Sequence, residues 1–540
     1  MKGTGPMARE RMPMDTNAQP PRVTYTNIAA DFDPVHQRLD ELLPRVKVGQ
    51  LGRERSNLIA GKADNSGDVY EAVSPIDCGI SLGRFFAPSP QTVDRAVEAA
   101  VRAYPDWSRR SWQERIAILR RAADLLDARK YELGLACLIE VGKSRLEAIG
   151  EAEEAVDLIR YYCDEMERNE GFRRPLKRAF PQEETIDVLR PLGVFAVIAP
   201  FNFPLALSTS MICGALIAGN TVVYKPSEMA GLTGALLVEV LTEAGMPDGA
   251  VNLLAGGGHV GRMLVEHPRV AGVAFTGSYQ VGMSIHRTIA NGRHVKPVIA
   301  EMGGKNPAYV TPSAHLDDAA AGVMRSVFGL QGQKCSACSK VYVHEAVLDD
   351  FLTKLETATA RLRIGNPEER DIYMGPVINE ASRKRFIAAA EEARRDGRLL
   401  FGGEALSGGL FDRGHYVTPT AVLGLPTDHR LNREEIFLPF VSIQTFRDLE
   451  AAITDGNRID YGLTAGIYTR DEAELSYFLD HAEAGVVYAN RASGATTGAW
   501  PGIQTFCGWK GSGVTNKGGL GPYYLPQFMR EQSRTIMRKA

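Results

Sequence analysis

The amino-terminal third of the chain has the spacing of hydrophobic residues that is typical of amphipathic helices. Ser89 and Pro90 suit the N-cap and the first position of a helix. Apolar residues then recur three and four positions apart, at Val93, Ala96, Val97, Ala100 and Val101. The helical pattern continues to about Glu167 through RIAILRRAADLLDARK and EEAVDLIRYYCDEM. This stretch therefore predicts a layer of helices packed against a sheet.

After Gly193 the pattern changes to short apolar runs that alternate with helical segments. The runs are FAVIAP (195–200), TVVYKP (221–226), VNLL (251–254), GVAF (272–275) and PVIA (297–300). Apolar strands joined by helices indicate βαβ units and a parallel sheet covered on both faces. Ligands of such sheets bind beyond the carboxyl ends of the strands, so the residues after each run are the candidates for function.

A second α/β segment is predicted from about Gly303 to Tyr488. Within it, KVYVHEAVLDDFLTKLETATARL reads as a strand followed by a helix. The glycine-rich stretch LLFGGEALSGGLF is typical of a surface excursion. The fold class predicted from these patterns is α/β with parallel sheets.

Length and composition narrow the class of protein. A chain of 540 residues is long enough for more than one domain. Its net charge of −3 gives no reason to expect a nucleic acid or an anionic membrane as partner. No run approaches the roughly 20 apolar residues that span a bilayer. Seven cysteines without framework spacing argue against a disulfide scaffold and favour a reducing, cytoplasmic location.

The first 22 residues are rich in Pro, Gly, Met and charge, and they lack the apolar segment of a secretory signal. We expect a disordered tail there. The ten histidines are dispersed without metal-ligand spacing, so no metal site is expected.

Two cysteines at Cys-x-x-Cys spacing, Cys335 and Cys338, leave three interpretations open. A zinc or redox pair is possible, although no second pair of ligands accompanies it. Both could be small core residues. One could be a nucleophile, which requires a nearby base.

Three further segments follow predicted strands and carry polar groups. Glu301 in EMGGKNP could act as a general base, or it could be a solvated surface group. Asn202 in PFNFP could donate to an oxyanion, or it could satisfy a turn. Gly277 and Ser278 in FTGSYQVG open a predicted helix in a manner that suits a phosphate. The G-x-G-x-x-G, G-x-S-x-G and P-loop signatures are absent from the sequence.

Taken in order, the motifs resemble the aldehyde dehydrogenase superfamily over nearly the whole chain after the tail. They are PFNFP, VVYKPSE, FTGSYQVG, EMGGKN, GQKCSA, GNPEERDIYMGPVI, EEIFLPF and GWKGSG. The resemblance implies an NAD-binding domain over 23–301 that includes flap strands at about 178–192. It further implies a catalytic domain over 302–488 and a substrate-anchor and oligomerisation segment over 489–540. The flap would pair the TIDVLRPLG region with a strand near Ser533–Met537, and a homo-oligomer is expected.

The resemblance also implies a role for individual residues. Cys335 would be the nucleophile, Asn202 the oxyanion-hole amide and Glu301 the base that activates water. Cys338 would be a structural neighbour. The cofactor would be held by Lys225 and Glu228 at the adenosine ribose, Gly277 and Ser278 at the pyrophosphate, Glu435 at the nicotinamide ribose and Phe437 beside it.

The implied reaction is oxidation of an aldehyde through a thioester. The Cys335 thiolate adds to the carbonyl, hydride passes to the cofactor, and Glu301 activates the water that releases the acid. A carboxylate at Glu228 would repel a 2′-phosphate, which favours NAD over NADP.

Within the superfamily, FGLQGQKCSACSKVYV resembles the pyrroline-5-carboxylate dehydrogenases, which oxidise glutamate γ-semialdehyde. That likeness implies that Ser336 and the backbone of Gly494 and Ala495 bind the substrate carboxylate. Phe203 and Phe506 would flank its aliphatic chain. The alternatives are a dehydrogenase of another semialdehyde, such as succinate semialdehyde, and a catalytically inactive structural member.

The chain departs from the family pattern at three places. The segment ATTGAWPGIQTFCGW is longer than usual and carries Trp500. Cys507 and Leu438 stand where glycine is common. These departures put the geometry of the substrate loop in question.

Overall fold

The computed structural model describes residues 22–24, 27, 32–494 and 499–538. The tail expected over the first 22 residues lies outside the described residues except for Arg22, and Ala495 also lies outside them. No helix in the described part of the chain is both long enough and apolar enough to cross a membrane.

The helices of the described residues occur throughout the chain. They are α1 (Asp33–Gln50), α2 (Pro90–Arg109), α3 (Trp112–Ala128), α4 (Lys130–Val141), α5 (Arg145–Arg168), α6 (Ala206–Ile217), α7 (Gly231–Glu243), α8 (Gly258–Glu266), α9 (Tyr279–Ala290), α10 (Leu316–Phe328), α11 (Leu348–Ala360), α12 (Glu380–Asp396), α13 (Arg430–Arg433), α14 (Leu449–Asn457) and α15 (Glu472–His481).

The strands alternate with these helices in most of the chain. They are β1 (Glu54–Arg55), β2 (Asn57–Ile59), β3 (Lys62–Asp64), β4 (Asp68–Val73), β5 (Ser81–Ala87), β6 (Arg173–Pro175), β7 (Glu183–Pro191), β8 (Val194–Ile198), β9 (Thr221–Lys225), β10 (Val251–Leu253), β11 (Val270–Thr276), β12 (Val298–Glu301), β13 (Asn306–Val310), β14 (Cys338–His344), β15 (Arg398–Phe401), β16 (Thr420–Leu423), β17 (Phe440–Phe446), β18 (Tyr461–Gly462), β19 (Thr464–Tyr468), β20 (Val486–Ala489), β21 (Trp509–Lys510) and β22 (Met529–Met537).

The first large sheet has the strand order β12-β11-β8-β9-β10-β2-β3. The five strands from β8 to β12 pair in parallel, and they coincide with the five apolar runs. Alternate residues of β8 enter two separate cores: Phe195 packs with α3 to α7, whereas Ala196 packs with α2, α8 and α9. The order reverses between β8 and β11, which places a crevice at their carboxyl ends.

The second large sheet has the order β15-β16-β17-β14-β13-β19-β20 and is parallel except for the β15–β16 pair. The prediction of a surface excursion over LLFGGEALSGGLF was wrong for the first three residues. Leu399–Phe401 belong to the edge strand β15. Two apolar residues of this strand, Leu400 and Phe401, pack against the core of the sheet, which explains why this short run pairs.

A third sheet, β22-β7-β6, is antiparallel. β7 pairs with β22 over nine residues, from Met529 opposite Pro191 to Met537 opposite Glu183. The two segments expected to form a flap are thus paired, and the carboxyl-terminal strand is longer than expected. Two parallel-sheet α/β halves with this small β flap confirm the fold class predicted from the sequence.

Candidate active site

The candidate residues meet at one edge of the first sheet. Asn202 follows β8, Lys225 ends β9, Ser278 follows β11 and Glu301 ends β12. Because these strands are parallel, their carboxyl ends share this edge. Cys335 comes from the second sheet, in the loop that precedes β14. The crevice between the two halves therefore holds every candidate for chemistry that the motifs supplied.

The loop that carries Cys335 begins with a strained turn. Leu330, Gln331 and Gly332 all have positive φ, at 47°, 55° and 65°. Two consecutive non-glycine residues in this region store strain that the surroundings must hold. The Gln331 side chain donates to the carbonyl of Gly142 at 3.1 Å, which ties the turn to the end of α4.

Asn306 fixes the nucleophile loop from the other side. Its Nδ2 donates to the carbonyls of Cys335 at 2.7 Å and Ala337 at 2.9 Å. Its Oδ1 accepts the backbone N–H of Thr464 at 3.0 Å. The side chain is buried, so these hydrogen bonds take the place of the hydrogen bonds to water that its amide would otherwise make.

The Cys335 residue is half-buried, and its surroundings disfavour the thiolate form. Burial raises its pKa, and the carboxylates of Glu301 and Glu435 raise it further. The backbone N–H groups of Ser336 and Cys335 act in the opposite direction. A proton acceptor nearby is therefore needed for the thiol to react at neutral pH.

Glu301 has the properties of a general base. Burial raises the pKa of its carboxyl to about 7, against the N–H of Gly519, which lowers it. That N–H donates to Glu301 Oε1 at 3.0 Å. A carboxyl that titrates near neutrality is suited to general base catalysis.

Asn202 is buried, and its Nδ2 donates to the carbonyl of Gln333, two residues before Cys335, at 3.0 Å. The second hydrogen of this amide has no acceptor among the described residues. The structure thus brings the Asn202 amide to the nucleophile loop with a donor available for a developing oxyanion.

The cofactor candidates lie along the crevice in the order that their strands set. Lys225 Nζ donates to the carbonyls of Pro226 at 2.7 Å and Gly256 at 3.0 Å, and burial lowers its pKa to about 8. Glu228 is exposed beside Gly257, where an added Cβ would lie 2.6 Å from its Oε2. Ser278 caps α9 by accepting the N–H of Val281.

These features fit a dinucleotide. A crevice at the switch point, a helix amino terminus opening at Ser278 and an exposed carboxylate at Glu228 supply donors for a pyrophosphate and an acceptor for a ribose. The backbone N–H of Gly277 is already used, since it donates to the carbonyl of Glu301 at 3.1 Å.

Glu435 and Phe437 lie on the opposite wall of the crevice. Glu435 Oε1 accepts the N–H of Gly304 at 3.0 Å, and burial raises its pKa to about 7. Phe437 has a φ of 60° and packs edge-on against Phe201, with ring centroids 6.0 Å apart. The Phe437 side chain thus connects the second half of the molecule with the loop that carries Asn202.

The substrate candidates are tied to the same loop through α10. Ser336 is buried, and its carbonyl accepts the Thr464 hydroxyl at 3.4 Å. Gly494 has a φ of 77°, and a Cβ there would lie 2.6 Å from the carbonyl of Gly322. Ser326, one turn further along α10, accepts the N–H of Cys338 at 3.0 Å. Cys338 is buried and serves the loop through this bond.

The two aromatic candidates are held by different partners. The ring of Phe203 lies 3.7 Å from Lys143 Nζ. Phe506 packs against the first core, and its N–H donates to the carbonyl of Gly519 at 3.1 Å. Because Gly519 also binds Glu301, Phe506 and the base share one support.

A fully buried ion pair supports the Asn202 loop from below. Lys143 Nζ and Glu151 Oε2 are 2.5 Å apart, and neither side chain is exposed. Glu151 Oε1 accepts the N–H groups of Leu205 at 2.8 Å and Ala206 at 3.1 Å, at the start of α6. The pair therefore fixes both the helix that follows Asn202 and the ring of Phe203.

The three departures from the family pattern each have a structural setting. Leu438 is buried in the core beside α12. Cys507 Sγ donates to the carbonyl of Gly485 at 3.3 Å. Trp500 is buried, and its Nε1 donates to Asp157 Oδ2 at 2.8 Å, which fastens the long segment to α5.

Sequence reasoning missed Asn306, Lys143 and Glu151 as parts of this site. Asn306 stands inside the motif EMGGKN, so its position beside a candidate base was an available signal. Lys143 and Glu151 lie in the stretch CLIEVGKSRLEAIGEAEEAV, which holds five further charged residues, so no local pattern marked these two as a buried pair.

Comparison with known proteins shows the family of the chain. The family model described as "Aldehyde dehydrogenase family" matches residues 62–533. The 1-pyrroline-5-carboxylate dehydrogenase of Bacillus subtilis (strain 168) is 36% identical over 490 residues, which are 90% of this chain and 93% of that protein. That of Geobacillus thermodenitrificans is 36% identical over 493 residues, with the same coverage.

Solved structures extend the likeness to three dimensions. The 1-pyrroline-5-carboxylate dehydrogenase from Thermus with bound NAD is 33% identical, with a TM-score of 0.90 over 97% of this chain and 100% of that chain. A betaine aldehyde dehydrogenase from Staphylococcus aureus is 25% identical, with a TM-score of 0.84 over 89% of this chain and 97% of that chain. The chain belongs to the aldehyde dehydrogenase family.

Proposed function

We propose that this protein oxidises L-glutamate γ-semialdehyde, the open form of 1-pyrroline-5-carboxylate, to L-glutamate with NAD. The observation that carries the chemistry is the convergence of Cys335, Asn202 and Glu301 in the crevice between the two sheets. The substrate rests on relatives that are named 1-pyrroline-5-carboxylate dehydrogenase and that match nine-tenths of the chain.

Each of the three residues has one task in this proposal. The Cys335 sulfur forms a bond to the aldehyde carbon, and its proton passes to solvent water in the crevice. Asn202 and the backbone N–H of Cys335 donate to the oxygen that becomes negative. One such donor contributes about 3–4 kcal/mol to the transition state. NAD, when bound, supplies the acceptor for the hydride of the aldehyde carbon.

Release of the product is assigned to Glu301. Its carboxylate takes a proton from water as the water oxygen attacks the thioester carbon. The carbon–sulfur bond breaks, the acid leaves, and Cys335 recovers its proton. A carboxyl with a pKa of about 7 is ionised in half of the molecules at neutral pH and accepts this proton without a large energetic penalty.

The substrate's α-carboxylate would be held by the Ser336 hydroxyl and by the backbone N–H groups of Gly494 and Ala495. The N–H of Gly494 donates to the carbonyl of Arg491 at 3.0 Å in the structure, so the carboxylate would have to share or displace that bond. Phe203 and Phe506 would cover its methylene groups. The support for this assignment is the link through α10, which joins the turn at Gly494 to the nucleophile loop.

NAD is preferred over NADP in this proposal because Glu228 is an exposed carboxylate where the adenosine ribose would lie. A 2′-phosphate would add negative charge beside it. The ratio of kcat/KM for the two cofactors tests this preference, and Glu228→Gln should move the ratio toward NADP. Equal efficiency with both cofactors in the native enzyme would refute it.

Assembly and location complete the proposal. Leu176, Phe180 and Met537 expose apolar surface on or beside the β22-β7-β6 sheet, which favours burial against a second copy. Light scattering that showed only monomer would contradict a homo-oligomer. The seven described cysteines are all free thiols, which supports a reducing, cytoplasmic compartment.

The deciding experiment follows NADH formation with 1-pyrroline-5-carboxylate, succinate semialdehyde and a simple aliphatic aldehyde. We expect a clear preference for 1-pyrroline-5-carboxylate that Cys335→Ala abolishes. A preference for succinate semialdehyde would keep the chemistry and overturn the substrate. Folded protein that oxidises none of the three would overturn the proposed function.

A further inference from the structure

A second cleft lies where the turn between β4 and β5 meets the loop between β15 and β16, and it is lined by none of the crevice residues described above. Its volume is about 550 Å³, and Cys78, Glu380, Arg383, Arg413 and His415 are among its lining residues. The two segments are joined through the main chain. The N–H of Cys78 donates to the carbonyl of Arg413 at 2.7 Å, and the N–H of His415 donates to the carbonyl of Pro75 at 3.2 Å.

Cys78 and His415 face each other in this cleft. Cys78 Sγ lies 3.6 Å from His415 Nε2, although 337 positions separate the two residues in the sequence. On the other side of the ring, His415 Nδ1 lies 3.5 Å from Glu380 Oε2. An acceptor at Nδ1 favours the tautomer that carries its hydrogen there, which leaves the lone pair of Nε2 directed at the thiol.

The charges around the pair keep both groups neutral at pH 7. Burial raises the pKa of the Cys78 thiol, and Asp77 and Glu380 raise it further. Burial lowers the pKa of His415, Glu380 raises it and Arg383 lowers it. A protonated thiol beside an unprotonated imidazole is the starting state of a nucleophile that is activated by general base.

We propose that Cys78 is a second nucleophilic thiol of this protein, with His415 as its base and Glu380 as the group that orients His415. The site is one of covalent modification by small, uncharged carbon electrophiles. Uncharged reagents are favoured because four of the five charged side chains of the lining pair with one another, Arg413 with Asp77 at 3.0 Å and Arg383 with Glu380 at 3.2 Å.

The step conserves atoms and charge. The Cys78 sulfur forms a bond to the electrophilic carbon as the thiol proton moves to His415 Nε2. With iodoacetamide, the carbon–iodine bond breaks and iodide leaves. His415 then returns its proton to solvent. No oxidant or reductant takes part.

The test is the rate at which iodoacetamide alkylates Cys78 in the full-length protein, measured by peptide mass spectrometry between pH 6.5 and 8.5. A thiol that reacts only as its thiolate gains about tenfold in rate per pH unit below its pKa. For the native protein we expect a nearly level rate from pH 7 to pH 8. For His415→Gln we expect a rate at pH 7 at least tenfold lower, with the steep slope restored.

Two further variants separate this role from a structural one. Glu380→Gln should lower the rate at pH 7 severalfold without changing its slope to that of His415→Gln. Cys78→Ser should abolish labelling of that peptide and leave aldehyde oxidation unchanged. The main-chain bonds of Cys78 and His415 do not involve the substituted atoms, so the loops should keep their pairing.

A steep slope for the native protein, equal to that of His415→Gln, would overturn the proposal. So would a rate at pH 7 that His415→Gln leaves unchanged. Neither outcome depends on the proposed function, because the labelling of Cys78 is measured directly.

Discussion

Asn306 donates to the carbonyl of Cys335 at 2.7 Å and so holds the nucleophile loop by its main chain rather than by its thiol. The same amide binds Ala337 and Thr464, so all its hydrogen-bonding atoms are used within the protein. The position of the thiol in the crevice therefore depends on a side chain that does not touch it.

Replacing Asn306 should impair catalysis more than it impairs folding. In Asn306→Ala, two buried carbonyls lose their donor, at a cost of about 1–3 kcal/mol. If the same free energy is lost from the transition state because the loop is displaced, kcat/KM falls about 5- to 150-fold. Asn306→Asp should be worse, because a carboxylate oxygen would face both carbonyls. Steady-state kinetics on folded protein measures both variants.

Asn220 provides the matched control for Asn306. It is also buried, donates to the carbonyls of Ala215 and Phe528, and accepts the N–H groups of Leu192 and Gly193. It lies at the amino end of β9, opposite to the crevice. Asn220→Ala should lower the unfolding temperature and leave kcat/KM unchanged. Native activity in Asn306→Asp would contradict the assigned role.

Glu301→Gln should separate the two halves of the reaction. If Glu301 activates water, the variant should still release a burst of NADH of about one equivalent per site, while steady turnover falls about 10²- to 10⁴-fold. Rapid mixing with 1-pyrroline-5-carboxylate and NAD measures both. Loss of the burst itself would instead assign Glu301 to deprotonation of Cys335.

The pH dependence of turnover tests the same carboxyl. Because burial raises the pKa of Glu301 to about 7, its base form is lost as the pH falls below that value. Where thioester hydrolysis limits turnover, kcat should drop about tenfold per unit below pH 6 and level off above pH 8. A kcat that stays constant from pH 5.5 to 8 would contradict this.

Breaking the Lys143–Glu151 pair should destabilise the protein and raise KM. Lys143→Met leaves a buried carboxylate without its cation, at a cost of about 3–5 kcal/mol. The double variant Lys143→Met/Glu151→Gln removes the charge and keeps an oxygen for the N–H groups of Leu205 and Ala206, so it should recover much of the unfolding temperature. A double variant less stable than Lys143→Met would refute the pairing argument.

The Michaelis constants of the Lys143 variants show whether the ion pair positions the ring of Phe203 or only stabilises the fold. The cation over the ring of Phe203 is absent from both variants. KM for the aldehyde should therefore remain elevated in the double variant even after stability recovers, while the KM for NAD stays near the native value. Recovery of both constants together would indicate a purely structural pair.

Trp500 should affect the choice of substrate. Trp500→Phe removes the donor to Asp157, which keeps Arg22 as an ion-pair partner. Loss of one such bond is worth about 0.5–1.5 kcal/mol, so KM for 1-pyrroline-5-carboxylate should rise about two- to tenfold. A simple aliphatic aldehyde, which has no carboxylate, should be affected less if the segment borders the carboxylate anchor. Equal changes for both aldehydes would contradict that placement.

The parallel sheet could be predicted because each of its strands is an apolar run buried on both faces, as Phe195 and Ala196 illustrate. The β1-β5-β4 sheet was not predicted. β1 has two residues, and β4 mixes exposed and buried positions, so neither produces a clear period. The pattern of apolar residues predicts a strand well where every position of the strand is buried, and poorly where buried and exposed positions are mixed.

The candidate site could be predicted where function is concentrated in short motifs, as in EMGGKN. Its supports could not. Lys143 contacts Phe203 only because α4, α5 and α6 pack together, and Cys78 meets His415 across 337 positions. Such contacts are properties of the packed chain and leave no local period to detect.

The pairing of β7 with β22 sets an order of events during synthesis. Arg190 and Gln532, which bond across this ladder, are 342 residues apart. At about 5–20 residues per second, the ribosome needs roughly 20–70 seconds to make the second strand after the first. Through that time one edge of β7 stays unpaired while the strands from β8 to β20 are being made. We therefore expect β7 to need cover, from a chaperone or from a neighbouring copy, until β22 has been made.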